Sequence, residues 1–394
     1  MAGLVIKPRS RIFHGHDWVY ASEIQKAFGD PQPGDVVSLK DFKDRPLGTA
    51  IYNPKSQIVA RRISRRKQQL DSDFFQRRIE RAAGLRATMN LPAPEICRLV
   101  WSEADGLPGV VLDRYGPHFV VQTLTLAMDN HKADLADAIR AVFPEAESII
   151  ERNDSPVRKA EGLELTTGLL FGDDFPAQFE IEAAGIRQQI DLAEGQKTGI
   201  YLDQLDNYAA VAALAKDQRV LDCFCNQGGF ALHAAKAGAA SVCGVDIGEG
   251  AIESARKNAE LNDLGHSVEW VVANVFDHLR HLENEGTRFD LIILDPPSFT
   301  RNRKSLKEAM RGYKDIHLRA LRLLEKGGRL VTYSCSHHVS RSAFLDMICD
   351  ASVDAKRTLR LIDEQRQRRD HPILATIPET SYLKGFVFET VAGF

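Results

Sequence analysis

The chain has 394 residues, of which 44% are hydrophobic, 27% charged and 8% aromatic. This excludes a single small module and a disordered or fibrous polymer, and predicts two or three domains with cores of their own. No apolar run approaches the roughly 18 residues that cross a bilayer, and Met1-Ala-Gly-Leu-Val-Ile-Lys7 reaches a charge before a signal core can develop, so a cytoplasmic protein without membrane association is expected. Six scattered cysteines do not form a disulfide scaffold, and Cys223-Phe-Cys225 lacks the two-residue gap of a zinc knuckle. The pairs His14/His16 and His337-His338 have no further ligands at suitable spacing, so no metal is expected. The formal net charge of −3 hides an asymmetry: residues 1 to 100 hold 18 Lys and Arg against 10 Asp and Glu. A basic front end on an acidic body fits docking of nucleic acid by one part of the chain.

In residues 1–70, Asp35-Val-Val-Ser-Leu-Lys40, Leu47-Gly-Thr-Ala-Ile-Tyr52 and Gln57-Ile-Val-Ala-Arg61 alternate between proline-marked turns, which predicts a small β-barrel. From Asp71 the period changes. Phe74, Phe75, Ile79, Ala82, Ala83 and Leu85 mark one face of a helix capped by Asp71 or Ser72. A turn-rich hairpin around Trp101–Gly116, a strand near Phe119–Leu126 and a helix near Asn130–Phe143 make 71–176 an α+β domain. Two antiparallel strands, 178–183 and 186–191, open the third domain, 177–394. Strands at 219–224, 240–246, 268–273, 289–294 and 328–335 then alternate with helices, which predicts a parallel doubly wound sheet that binds ligands at its carboxyl edge.

The candidate chemistry sits at those strand ends. The first ends in Asp222-Cys-Phe224-Cys-Asn226-Gln-Gly228-Gly229-Phe230, where glycines allow close approach to the backbone. Asn226 replaces the first glycine of a dinucleotide fingerprint. The acidic residue suits a ligand that carries an ammonium and no phosphate, as S-adenosylmethionine does. Asp246, with Ile247 after it, ends the second strand, where a carboxylate accepts ribose hydroxyls or caps a helix. The third runs into Asn274-Val275-Phe276, with an amide for an adenine edge and an apolar side chain for the ring. The fourth delivers Asp295-Pro296-Pro297-Ser298-Phe299, in which two prolines stiffen the loop behind the carboxylate. The fifth delivers Ser334-Cys335-Ser336. A free cysteine is commonly a small buried hydrophobe, but flanking serines at a strand's carboxyl end make Cys335 a candidate nucleophile. Such a pair suits attack at carbon 6 of cytosine, which activates carbon 5 toward a methyl group, with Asp295 holding the ring at nitrogen 3. Basic clusters at Arg61, Arg62, Arg65 and Arg66 and at Arg301, Arg303 and Lys304 are candidates for RNA phosphates, while the stretch Arg357, Arg360, Arg366, Arg368 and Arg369 reads as a solvated face.

Together with His16-Asp-Trp-Val-Tyr20, Glu103-Ala-Asp-Gly-Leu-Pro-Gly109, Gln196-Lys-Thr-Gly199, Tyr201-Leu-Asp-Gln204, Arg311-Gly-Tyr-Lys-Asp315 and Leu383-Lys-Gly-Phe386, these motifs resemble the bacterial large-subunit ribosomal RNA cytosine-5 methyltransferases over essentially the whole chain. The resemblance implies an N-terminal PUA-like domain, an α+β middle domain and a C-terminal Rossmann-like class I methyltransferase sheet. It also implies S-adenosylmethionine as donor, large-subunit ribosomal RNA or a ribosomal precursor as partner, and Cys335 as nucleophile. Lys197, Thr198, Tyr201, Asp203 and Gln204 join the implied donor-binding set, and Asp295 and Pro296 line the same pocket. A homodimer is compatible with it. Ser298 stands where two-cysteine relatives carry a second cysteine, and Asn274 where an aspartate is common. Methylation of an exocyclic amine through the Asp295-Pro-Pro-Ser-Phe299 motif, and an RNA-binding assembly factor that retains a donor pocket, are the alternatives.

Overall fold

The computed structural model describes residues 2–173, 178–191, 199–300 and 305–391. Contacts group the chain into two compact units, the first comprising Met1–Phe179, Ile190–Leu202 and Arg369–Ser381, and the second Glu180–Gln189, Asp203–Arg368 and the residues from Tyr382 onward. Among the described residues no helix is long and apolar enough to cross a membrane.

In the first unit two of the alternating segments form strands where expected and the third is shifted from 57–61 to Ala60–Ser64, within a six-stranded sheet in the order Trp18–Val19, Ala60–Ser64, Pro46–Tyr52, Val36–Asp41, Gly3–Ile6 and Ile24–Phe28. Strict alternation of buried and half-exposed residues along Val36–Asp41 turns Val37 and Leu39 into a core with Leu4, Ile6 and Ala50. A second sheet runs Thr166–Phe171, Ser148–Asn153, His118–Thr123, Val110–Tyr115, Ile96–Trp101. The helix Ser72–Ala87 packs beside it. Asp71 caps that helix by accepting the Phe74 amide at 2.8 Å. Phe74, Phe75, Ile79 and Ala82 are buried as the period predicts, whereas Leu85, expected on the same face, is 40% exposed. Arg86 takes its place at 3% exposure, because positions 75, 79, 82 and 86 share a face at helical spacing and Arg86 has carboxylate and carbonyl partners there.

The second unit carries the doubly wound sheet. Its strands are β1 (Arg219–Cys223), β2 (Ser241–Asp246), β3 (Glu269–Val272), β4 (Phe289–Leu294), β5 (Leu324–Ser334), β6 (Leu359–Arg366) and β7 (Lys384–Thr390), in the spatial order β3-β2-β1-β4-β5-β7-β6. Strands β1 to β5 are parallel; β7 runs antiparallel between β5 and β6. β1 and β4, in the middle of the sheet, are apolar on both sides where helices cover them, with Leu221, Ile292 and Leu294 fully buried among Leu279, Ile316, Phe344 and Ile348 from three helices. The order reverses beside β1, so a crevice opens at the carboxyl ends of β1 and its neighbours. Register aligns those ends: Cys223 pairs with Val245 and Leu294, and Leu294 with Thr332.

Sequence periodicity does not announce the return of Arg369–Ser381 to the first unit. The side chain of Arg86 grips Asp105 in a two-pronged ion pair, with Nη2 2.9 Å from Oδ2, and the same nitrogen donates to the Asp370 carbonyl at 2.7 Å. The Asp370 carboxylate accepts the Arg98 amide at 3.0 Å and meets His371 Nδ1 at 2.7 Å, while Trp101 Nε1 donates to the Thr380 carbonyl. Breaking one partner of a buried pair leaves an uncompensated charge, which costs about 3–5 kcal/mol. Asp105→Ala should therefore lower the urea-unfolding free energy by that amount; a loss below about 1 kcal/mol would show that Arg86 finds other partners.

Candidate active site

At the end of β1 the Asp222 side chain is fully buried. Oδ2 accepts the Ala231 amide at 2.9 Å, while Oδ1 has no hydrogen-bond partner among the described residues. Burial, aided by the neighbouring charges of Asp295 and Asp246, pushes this carboxyl well above the usual range even though the Ala231 amide opposes the shift. Phe224, Asn226 and Gly228 all adopt positive φ (64°, 48° and 85°), so the chain turns sharply before the helix Gly229–Lys236. A Cβ on Gly229 would sit 2.4 Å from the Tyr208 ring, and one on Gly228 2.6 Å from the Trp270 ring. Asp246 braces the turn, with Oδ2 accepting the Asn226 amide at 3.0 Å and Oδ1 the Gly248 amide at 2.8 Å. Next to it Ile247 is 68% exposed. An unmatched buried carboxyl oxygen, a sharp turn that ends in two glycines and an exposed apolar side chain fit a ligand with an ammonium and a flat ring, the chemistry of S-adenosylmethionine.

Other members of the expected donor set turn inward. Phe230 is buried between Tyr208, edge-on at 4.6 Å, and Tyr333, stacked at 5.3 Å. Val275 joins the sheet core. Asn274 is exposed and its amide oxygen caps the next helix by accepting the Phe276 amide at 2.9 Å; a carbonyl oxygen keeps a second lone pair. Asp203 is buried and accepts the Tyr382 hydroxyl at 2.6 Å. Tyr201 belongs to the first unit. Lys197, Thr198, Arg301, Arg303 and Lys304 lie outside the described residues.

On the other side of β1, Asp295 leaves β4 with Pro296 buried beneath it. Gln204 fixes the carboxylate by donating to Oδ2 at 2.8 Å, and Asn207 in turn donates to Gln204 Oε1 at 2.6 Å. Cys335, half-buried, follows β5 on a floor of hydroxyls. Ser336 Oγ lies 2.9 Å from both Ser298 Oγ and Tyr313 Oη, and Ser334 Oγ donates to Tyr313 Oη at 3.3 Å. Lys384, opposite Ser334 on β7, donates to the Ser336 carbonyl at 2.7 Å. Burial pulls its amine down to about 8 against the opposing effect of Cys335, which places the cation within electrostatic reach of the thiol. Sequence reading noted the Leu383-Lys-Gly-Phe386 segment without assigning Lys384 a place at the site; only pairing of β7 with β5 brings it there.

Of the basic residues, Arg61 is committed to Glu103 at 2.6 Å and Arg62 Nε to Asp17 at 2.7 Å, whereas Arg65 and Arg66 are exposed. The stretch expected as a solvated face is mostly that, since β6 is exposed, but Arg368 is an exception at 2% exposure, paired with Asp206. A guanidinium this deep needs a carboxylate, and Asp206 lies too far along the chain for pattern reading to link them. Among the described residues no cluster of His, Cys, Asp and Glu is placed to hold a metal ion.

Residues 166–371 match the family model for S-adenosylmethionine-dependent methyltransferases, and residues 7–65 match that for a PUA-like domain. The chain is 40% identical over 392 residues to Ribosomal RNA large subunit methyltransferase I of Vibrio vulnificus strain CMCP6, covering 98% of each. To the protein of that name from Erwinia tasmaniensis it is 40% identical over 379 residues, 95% of this chain and 96% of that one. Among solved structures, SMU.776, crystallised with SAH, shares the fold at a TM-score of 0.86 with 24% identity, over 99% of this chain and 100% of that one.

Beneath the hydroxyl floor His317 is fully buried. Nδ1 donates to the Tyr313 carbonyl at 2.6 Å, which leaves Nε2 to accept the Thr332 hydroxyl at 2.8 Å. Burial holds its pKa down at about 4. The unfolded chain takes up this proton below about pH 6.5 and the folded chain only below about 4, so the stability is complete above 6.5 and is lost as pH falls toward 4. Between pH 7.5 and 5 this group should account for roughly 2 kcal/mol of lost stability. Urea titrations of wild type and His317→Gln at the two pH values should show the variant losing less by that amount; parallel losses would place a protonated imidazole in the fold.

Proposed function

The chain belongs to the ribosomal RNA large subunit methyltransferase I family, and from that membership we propose that it transfers a methyl group from S-adenosylmethionine to carbon 5 of a cytosine in large-subunit ribosomal RNA, with Cys335 as the nucleophile. The observation that carries this proposal is the register of the second unit's sheet, in which Leu294 opposite Thr332 sends Asp295 and Cys335 out of adjacent strand ends, next to the turn built around Asp222. Bound there, the donor supplies an electrophilic methyl group on a sulfonium that leaves as a neutral thioether.

The Asp222 carboxyl oxygen and the Gly228–Gly229 turn hold the donor's amino-acid end and Ile247 lies against its flat ring. Asp295, oriented by Gln204, holds nitrogen 3 of the target cytosine. The Cys335 thiolate forms a bond to carbon 6, and the electron pair displaced to carbon 5 takes the methyl group. Loss of the carbon-5 proton and cleavage of the carbon–sulfur bond then restore the aromatic ring and return the thiolate. A cation beside the sulfur favours both the attacking and the departing thiolate, and Lys384 occupies that place. The hydroxyl floor of Ser298, Ser336 and Tyr313 fixes the two loops that carry Asp295 and Cys335.

Incubation of the full chain with methyl-labelled donor and unmodified large-subunit ribosomal RNA, followed by nucleoside mass spectrometry, should place the label in 5-methylcytidine. RNA that contains 5-fluorocytidine should be trapped as a covalent adduct, and Cys335→Ala should abolish both adduct and transfer. Label in an N-methyl nucleoside, or an undiminished adduct with Cys335→Ala, would overturn the nucleophile. For Gly229→Ala, the clash with the Tyr208 ring should weaken S-adenosylhomocysteine binding at least tenfold by calorimetry; an unchanged Kd would move the donor away from this turn.

A further inference from the structure

In the first unit, Arg62 on the strand Ala60–Ser64, Arg65 just after it and helix residues Arg78 and Arg81 line a cavity of about 300 Å³, together with Asp17 and Glu103. The two carboxylates are already engaged. Asp17 accepts from Arg62 at 2.7 Å, and Glu103 accepts from Arg61 at 2.6 Å and from Trp18 Nε1 at 2.7 Å. Arg65, Arg78 and Arg81 have no carboxylate at ion-pair distance among the described residues, so three positive charges face one polar space without compensation.

Arg78 is held in place rather than waving in solvent. Nη2 donates to the Ile63 carbonyl at 2.8 Å, the guanidinium lies 5.2 Å from the centre of the Phe74 ring, and Nη1 lies close over Gly106, where an added Cβ would come within 2.7 Å of it. One of its five N–H donors is used on Ile63. Burial, and then the like charges of Arg81 and Arg77, keep its pKa below that of an ordinary arginine, the signature of a cation lacking an anion. Arg81 lies one turn further along the same helix and is exposed, as is Arg65 on the opposite wall.

We propose that this cavity is a phosphate-binding pocket for the RNA backbone, in which Arg78 is the fixed fork and Arg65 and Arg81 close on the phosphate oxygens from either side. Planar guanidinium forks match phosphate oxygens in pairs. At about 300 Å³ the space stands at the lower end of ligand pockets, and no aromatic ring among the described residues lines it for a base to stack upon. The contact is therefore to backbone and carries no base preference. The pocket rests on the proposal that RNA is the substrate, and assigns two cations, Arg78 and Arg81, that lie outside the Arg61–Arg66 cluster.

The test is equilibrium binding of the full chain to a transcript of large-subunit ribosomal RNA between 50 and 300 mM KCl, with wild type, R78Q/R81Q, R81Q and R77Q. Arg77 shares the helix but is paired with Asp73 at 2.7 Å, so it reports on general helix charge. Each lost phosphate contact reduces the slope of log K against log salt by about 0.7–0.9. The double variant should bind at least tenfold more weakly at 100 mM KCl with a slope shallower by about 0.7–0.9, R81Q should show a smaller change in the same direction, and R77Q should stay within twofold of wild type. An unchanged slope in R81Q and the double variant, or an equal loss in R77Q, overturns the pocket. If pyrophosphate binds wild type but not R78Q/R81Q in calorimetry while RNA binding is unaffected, the ligand is a free oligophosphate and the RNA assignment fails. Methyl transfer by wild type with no change of slope in the variants would reject the pocket alone. The expected slopes without transfer would reject the catalytic proposal alone.

Discussion

A carboxyl group with one oxygen unmatched in a fully buried position is the constraint around which the second unit is arranged. Leaving a polar atom without a partner costs about 1–3 kcal/mol, a cost that the ammonium of the donor would offset at Asp222 under the function proposed above. Neighbouring features leave that oxygen unmatched. Departures to positive φ at Phe224, Asn226 and Gly228 pull the backbone aside after β1. Asp246 spends both of its oxygens on amides of the surrounding loops instead of on Asp222, and Asp295 is turned to Gln204. Three carboxylates in one crevice repel one another, which makes a cation bound among them more favourable than at any one alone.

The two halves of the crevice are built on different physics. On the β1–β2 side the loops are held through backbone amides that Asp222 and Asp246 accept. On the acceptor side short hydroxyl side chains lock the loops together. Ser336 connects the loop after β4, through Ser298, with the helix that carries Tyr313 and with β7, through Lys384. A floor of this kind is rigid only when every hydroxyl finds its partner. His317 contributes by staying neutral, since a charged imidazole could no longer accept from Thr332.

Most of the strand framework was legible from the chain because β1, β2 and β4 are short apolar runs with an acidic residue at or just past their ends, Asp222, Asp246 and Asp295, and the carboxyl ends of the strands carried the candidate residues with them. What remained hidden depended on pairing across long separations. β6 reads as a charged surface segment because it is an exposed edge strand, and without it β7 has no visible reason to exist. Lys384 therefore could not be placed beside Cys335. The inward turn of Phe230 and Val275 was hidden for another reason: a residue at a strand end can face ligand or core, and sequence does not distinguish the two. Arg78 likewise reads as one more charge on an amphipathic helix, because its hydrogen bond to Ile63 and its contact with Gly106 exist only once sheet and helix have met.

The return of Arg369–Ser381 to the first unit sets a timetable for synthesis. Arg86 and Asp105 emerge early, but the carbonyl of Asp370 that shares the same guanidinium is made 265 residues after Asp105. At about 5–20 residues per second the interval is roughly 13–53 s. During that time the first unit must persist with Arg86 and the Arg98 amide short of partners, while the whole doubly wound sheet up to β6 is being translated. The unit that begins the chain is thus among the last to be finished, and a truncation placed before residue 369 would damage the N-terminal fold more than its distance in sequence suggests.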